Sequence, residues 1–182
     1  MRVLVGCEYS GRVRDVFTRK GHYAVSCDLE DTEARGLHYK GDIFDILYDK
    51  WDLLIAHPPC THLCVSGARW FKTKGVAKQE EALIFVWRLM QAPIEKIAIE
   101  NPVGVISTKI RKPDQIVHPW WFGDPSSKAT CLWLKNLPLL VKTNPSVMKY
   151  QNTARTPPSE NRGKIRSLIS QNMAQAFADQ WG

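Results

Sequence analysis

Residues 52–57, Asp-Leu-Leu-Ile-Ala-His, hold four apolar residues in a row and stop at Pro58-Pro59. A strand with one wet face alternates apolar and polar side chains, whereas a continuously apolar strand needs cover on both faces. The run therefore belongs in the middle of a parallel sheet with helices packed above and below. The two prolines end it, because neither can donate to a strand ladder or continue a helix. Cys60 follows at once, so a thiol rides on the sharp turn after a central strand. That thiol has three readings: a small buried apolar residue, a metal ligand or a nucleophile.

The surrounding pattern agrees with that architecture. Residues 2–5 (Arg-Val-Leu-Val) and 23–28 (Tyr-Ala-Val-Ser-Cys-Asp) read as strands, and a short one lies within 36–43. Residues 96–101 (Lys-Ile-Ala-Ile-Glu-Asn) make a further apolar strand. Amphipathic stretches run between them. Val13, Val16 and Phe17 share a helical face in 11–21, with Gly21 as the stop, and Ala82, Phe85, Val86 and Leu89 repeat at helical spacing in 78–92. Trp87 on that helix is expected in the core. Strand–helix alternation with short links predicts an α/β fold, a doubly wound, mostly parallel sheet in a single domain spanning 1–182. The second half is less regular. Pro and Trp crowd residues 113–125, 129–134 predicts an added strand, 138–163 reads mostly as loop, and 166–181 predicts one closing helix.

Composition narrows the class. No run of roughly 18 apolar residues exists, so a membrane span is not expected. The first residues enter a strand pattern with no signal-like apolar region, which predicts a cytoplasmic protein. A net charge of +7 and a pI near 9.2 favour a polyanionic partner such as nucleic acid. Basic residues gather in 72–78, 107–115 and 160–167, where loops and helix ends suit phosphate contacts. The five cysteines are Cys7, Cys27, Cys60, Cys64 and Cys131. Their spacing makes no paired Cys-x-x-Cys site, so no metal is expected, although Cys60 and Cys64 with His57 and His62 leave zinc as an alternative.

Ligands of open parallel sheets bind beyond the carboxyl ends of the strands. Collecting those ends gives Gly-Cys-Glu-Tyr-Ser-Gly (6–11), then Asp28, Asp42, His57-Pro-Pro-Cys60 and Glu100-Asn-Pro102. Residues 8–12 offer a glycine turn and backbone amides at a helix start, which suits a carboxylate or phosphate. They lack both the dinucleotide and the phosphate-loop glycine patterns. Asp28 is placed to take ribose hydroxyls, and Asp42 to accept from an exocyclic amine. Singly, each reads as a cap or a solvated acid. Cys60 and Glu100 suit addition to a conjugated ring: a thiolate attacks carbon while the acid holds a ring nitrogen. A helix start and nearby cations would lower the Cys60 pKa. The alternatives are an inert buried cysteine and a structural salt bridge.

In this order the motifs resemble those of the DNA cytosine-5 methyltransferases, in the short stand-alone form met in phages and prophages. The resemblance runs from residue 2 to about 134. Cys7 to Gly11 is similar to the family's Phe-x-Gly cofactor loop, with Tyr9 at the phenylalanine. His-Pro-Pro-Cys matches its Pro-Cys motif, and Glu-Asn-Pro its Glu-Asn-Val motif with Pro102 at the valine. Residues 122–130 resemble Tyr-Gly-x-Pro-Gln-x-Arg-x-Arg, with Ser126 at the Gln, Lys128 at the first Arg and Thr130 at the second. Leu29 stands where the family often carries a large ring. Residues 135–165 leave no room for a large target-recognition domain.

The resemblance implies a Rossmann-like class I methyltransferase fold and S-adenosylmethionine as cofactor. It places Glu8, Tyr9, Ser10, Gly11, Asp28, Leu29, Asp42, Ile43 and Pro58 at that cofactor. It makes Cys60 the nucleophile, Glu100 its partner on the cytosine ring and Lys128 a charge near the base or a phosphate. The implied substrate is DNA; single-stranded DNA or a free cytosine nucleotide would avoid the few kcal/mol of flipping a base. Trp70, Trp120, Trp121 and Phe122 suit stacking on bases. Other readings are the same chemistry on RNA, an amino-group methyltransferase and a non-catalytic nucleic-acid binder. The amino-group reading wants Asp, Asn or Ser before Pro-Pro and an aromatic after, where His57 and Cys60 stand.

Overall fold

A computed structural model describes residues 1–64, 76–145 and 162–182. Among them seven strands form one sheet: β1 Arg2–Gly6, β2 Tyr23–Asp28, β3 His38–Lys40, β4 Leu53–Ala56, β5 Lys96–Pro102, β6 Gln115–Val117 and β7 Thr130–Lys135. Their order is β3-β2-β1-β4-β5-β7-β6. Strands β1 to β5 pair in parallel, and β7 runs antiparallel to both β5 and β6. The mostly parallel α/β sheet expected from the sequence is present, with one reversed strand. From β1 the chain builds outward in one direction through β2 and β3, then returns to build the other way through β4 and β5. The crevice beyond β1 and β4 is therefore the switch point where such sheets bind ligands.

Helices cover both faces: α1 Arg12–Arg19, α2 Val76–Met90, α3 Ile106–Lys109, α4 Arg162–Ser167 and α5 Gln171–Trp181. Leu53 and Ile55 of β4 pack with Phe17 of α1 and Phe177 and Trp181 of α5. Leu54 and Ala56 point the other way, into a core with Val86 and Leu89 of α2 and Trp133 of β7. All four β4 residues are fully buried. This two-sided burial is why the run has no polar alternation; each buried Leu or Ile side chain contributes roughly 1.5–3 kcal/mol.

Four expectations change. Strand β6 lies inside the Pro- and Trp-rich stretch, where three residues give periodicity nothing to register. The expected single helix over 166–181 is two, broken at 168–170. Ser170 starts α5 by accepting from the Met173 amide at 3.3 Å. Trp87, expected in the core, is 53% exposed on α2. Phe122, read as a stacking ring, is instead buried in the core at the end of a 3-10 turn over Pro119–Phe122, while Trp120 and Trp121 in that turn are half-buried. Trp70 lies outside the described residues.

One buried charge ties the β1–α1 turn to its neighbours. Arg14 is fully buried. Its guanidinium donates to Asp15 Oδ1 at 2.8 Å, Ser26 Oγ at 3.0 Å, Thr32 Oγ1 at 3.3 Å, and the Ala34 and Arg35 carbonyls at 3.2 and 3.1 Å. Gly11 sits against it with φ +71°, and a Cβ there would come within 2.3 Å of Arg14 Nη2. Replacing Arg14 with Met strands those acceptors in a dry site, so urea denaturation should show a loss of about 3 kcal/mol. An unchanged midpoint would mean that the turn is held by packing alone.

Candidate functional site

The site is built on a mismatch in strand length. Parallel pairing between β4 and β5 ends with Ala56 opposite Ile99. The prolines stop β4 there, but β5 continues against β7, with Glu100 opposite Leu132 and Asn101 opposite Cys131. One step past the last pair, His57 and Glu100 therefore come side by side on the face shared by Ile55 and Ala98. His57 Nδ1 lies 3.1 Å from Glu100 Oε2, with side chains only 11% and 9% exposed. Burial works to raise the Glu100 pKa. The His57 hydrogen bond and the charges of Lys128 and His57 outweigh it and hold the carboxyl below its ordinary 4.5. Glu100 is thus an ionised, nearly buried carboxylate. An ionised carboxylate only accepts, so the bond assigns the Nδ1 proton to His57.

Three further contacts fasten the thiol-bearing turn to β5 and to the residues just after it. Asn101 Nδ2 donates to the Pro58 carbonyl at 2.7 Å. The Cys60 carbonyl accepts from the Leu63 and Cys64 amides at 3.0 Å each, and Val105 N donates to the Leu63 carbonyl at 2.8 Å. Cys64 bridges to Gly104, where a Cβ would stand 2.0 Å from the Leu63 carbonyl oxygen. Only glycine permits this approach. Cys60 is half-buried on the turn. Its thiol is pushed up, first by a hydrogen bond with Cys64, then by burial and the Cys64 charge; Glu100 adds to this and Lys128 opposes it. The expected lowering of this pKa is overturned. The chain makes a turn at 61–63, so the anticipated helix start gives way to a neighbouring thiol.

The three candidate catalytic residues lie within electrostatic range of one another. Lys128 acts electrostatically on both Cys60 and Glu100, and its Nζ donates to the Arg166 carbonyl of α4 at 3.1 Å.

Beside them, beyond β1 to β3, lies a cavity of about 160 Å³ lined by Asp28, Leu29, Asp42, Ile43, Pro59 and Phe85, among others. Asp28 accepts from the Glu30 amide at 3.0 Å, and Asp42 caps the 3-10 turn at 43–45 by accepting from Phe44 N at 3.0 Å. Leu29 is 74% exposed at the rim. Pro58, expected at the cofactor, is buried in the turn, and Pro59 lines the cavity instead. Phe85, one of the residues at helical spacing on α2, gives no sign in the sequence of lining a cavity.

The loop after β1 differs most from expectation. The amides at the start of α1 do not await an anion. The buried Glu8 carboxylate accepts from Val13 N at 2.6 Å, Arg14 N at 3.2 Å and Ser10 Oγ at 3.4 Å. Burial raises the Glu8 pKa, against the pull of His57 and those amides. Ser10 Oγ also accepts from Arg12 N at 3.4 Å, and the Tyr9 hydroxyl donates to the Lys164 carbonyl at 3.2 Å. A second, smaller cavity opens here, walled by residues 7–10, His57 and 167–169. His57 as a partner of Glu100 had no sequence signal, since the two lie 43 positions apart.

Among the described residues no three His, Cys, Asp or Glu side chains gather as a metal site, and no helix is long and apolar enough to cross a membrane. No protein-family model and no curated protein matches the sequence. The fold is similar to a solved Escherichia coli structure, provisionally described as a DNA modification methyltransferase encoded within a prophage. The TM-score is 0.53 at 12% identity, covering 86% of this chain and 55% of that one. The chain thus spans about half the length of the structure it matches, and at that identity the likeness is one of fold.

The Glu100 pair makes a signed prediction. Its folded pKa lies below the unfolded value, so its contribution to stability is present above pH 4.5 and fades as pH falls through the lowered value. The Tm advantage of the wild type over Glu100→Gln should be full at pH 6 and shrink below pH 4.5. A gap constant down to pH 3 would contradict this. Gly104→Ala should loosen the 60–64 turn and speed alkylation of Cys60 by iodoacetamide; an unchanged rate would mean that the segment after β5 does not hold the turn.

Proposed function

We propose that the protein methylates cytosine at C5 in DNA, with S-adenosylmethionine as donor. The observation that carries this reading is the convergence of Cys60, Glu100 and Lys128 at the ends of adjacent strands beside a nucleoside-sized cavity. The cavity fits the nucleoside part of that cofactor. Leu29, Ile43, Pro59 and Phe85 offer apolar walls to a purine, Asp28 an acceptor to ribose hydroxyls and Asp42 an acceptor to an exocyclic amine. When bound, the cofactor supplies an electrophilic methyl group for C5.

The chain's own residues activate the ring. The Cys60 sulfur adds to C6 of cytosine and gives up its proton, while N3 gains one, so the adduct carries no net charge. The Glu100 carboxylate accepts from the exocyclic amine and from N3–H, which holds the ring in the protonated-N3 form. Lys128 favours the thiolate against the upward push of Cys64 and burial. Electron density released into the C5–C6 bond makes C5 nucleophilic. After transfer, water takes the C5 proton, the Cys60–C6 bond breaks, and the departing sulfur recovers a proton as N3 gives one up, which restores the ring. Preorganised charges of this kind act strongly because the site is nearly dry.

The net charge of +7 supports a polynucleotide substrate. The short connection over 135–165 favours single-stranded DNA, which spares the cost of extruding a base. The test is incubation with labelled S-adenosylmethionine and duplex DNA, single-stranded DNA, RNA or cytosine nucleotides, followed by nucleoside analysis. The wild type should yield 5-methylcytosine, most from single-stranded DNA, with steep weakening by salt, and Cys60→Ala should yield none. An amino-methylated product, or methylation that survives Cys60→Ala, would overturn the chemistry.

A further inference from the structure

The far end of the sheet carries aromatic rings where the near end carries acids. Strand β6 runs antiparallel to β7 with Val117 opposite Thr130, and Thr130 stands opposite Pro102 of β5. The residues after β6 therefore emerge on the same rim as Glu100, two strands along and on the side away from the nucleoside-sized cavity. They are His118 and the turn Pro119–Phe122. Phe122 is buried, and Trp121 packs against the core that holds α5. Trp120 belongs to neither core among the described residues. The His118 ring lies roughly parallel to it, with centroids 6.2 Å apart and planes at 29°. The exposed Lys142 places its Nζ 4.9 Å from the Trp120 ring centre and 4.6 Å from that of Trp121. The acid of this segment, Asp124, accepts from Asn172 Nδ2 of α5 at 3.2 Å.

This aromatic turn and the loop that carries Lys128 are one unit. Trp120 N donates to the Ser126 carbonyl at 3.1 Å, His118 Nδ1 to the Ser127 carbonyl at 3.1 Å, and Lys128 N to Ser126 Oγ at 3.4 Å. Neighbouring strands lie about 4.8 Å apart, so two strands along is about 10 Å from Glu100, the reach of an adjacent nucleotide. We infer that Trp120 is the stacking platform for the base beside the target cytosine in single-stranded DNA, and that Lys142 meets the phosphate next to it. This rests on the functional reading above and deepens it: the nucleoside of the cofactor takes one end of the rim, the reacting base the middle, and the flanking strand the end over β7 and β6. Every base has a π-face, so an indole grips the strand without choosing its sequence. A cation held against the rings favours a polyanion over an apolar protein partner.

Fluorescence anisotropy with labelled thymidine oligonucleotides carrying one central cytosine tests this. In each, a single thymine near the cytosine is replaced by an abasic site, which removes a ring and keeps every phosphate. For the wild type, an abasic site at a position flanking the cytosine should weaken binding about 10-fold. Trp120→Ala should weaken the intact oligonucleotide by a similar factor and erase the effect of that position, and Trp120→Phe should restore it. Lys142→Gln should weaken every oligonucleotide alike and lower the salt slope by about one; an unchanged slope would remove the phosphate contact. No loss at any flanking position in the wild type, or a loss that survives Trp120→Ala, would overturn the platform. The same oligonucleotides are then assayed for 5-methylcytosine. Product formed without a flanking effect overturns the platform alone. A Trp120-dependent flanking effect with no product keeps the platform as a DNA surface and overturns the functional reading. A folded wild type that binds none of the oligonucleotides overturns both.

Discussion

A carboxylate kept ionised in a nearly dry place is the constraint on which the site depends. Glu100 is 7% exposed, and burial alone would neutralise it. Its charge survives because strand register delivers His57 to its side at 3.1 Å and the end of the sheet delivers Lys128. Removing β7 from this scheme removes the site. Reversed β7 lets β5 outrun β4, and Glu100 and Asn101 sit on that overhang. Asn101 then holds the Pro-Pro-Cys turn by the Pro58 carbonyl, so carboxylate and thiol are fixed to the same strand end.

The thiol is held in reserve. Its hydrogen bond with Cys64 and its burial favour the protonated form, and Lys128 is the opposing charge. A resting thiol of this kind is less exposed to alkylation and oxidation, since reactivity follows thiolate character. Under the proposed reading, activation falls to the arriving ring, which accepts a proton at N3 as sulfur loses one. Lys128 is itself tethered by α4 through the Arg166 carbonyl, and Arg12 grips the Ile169 carbonyl at 2.7 Å. The C-terminal helices thus reach back across the strand ends, and the break between them forms one wall of the small cavity.

Much of this could be read from the sequence because it rests on local rules. Four apolar residues before two prolines specify a doubly covered strand, and the residues after each strand end collect on one rim. Cys60 and Glu100 fall after adjacent strands, as reading the strand ends from the sequence placed them, and Lys128 acts electrostatically on both. What escaped depends on partners distant in sequence or on short elements. His57 and Glu100 are joined by register, which no single segment encodes. Glu8 looked available to a ligand, but a carboxylate at the mouth of α1 satisfies the helix amides itself. Pro58 and Pro59 are indistinguishable by pattern, yet the turn buries one and exposes the other. The helix break at 168–170 needed the cap by Ser170 to be weighed above the continuing apolar period.

The central claim is covalent chemistry at Cys60, and a mechanism-based trap tests it most directly. DNA carrying 5-fluorocytosine blocks the last step, because fluorine cannot leave C5 as a proton does. With S-adenosylmethionine present, mass spectrometry of the digested protein should find the methylated fluorocytosine bonded to the peptide that contains Cys60. Methyl transfer to ordinary cytosine with no trapped adduct, or an adduct at a different cysteine, would contradict the account.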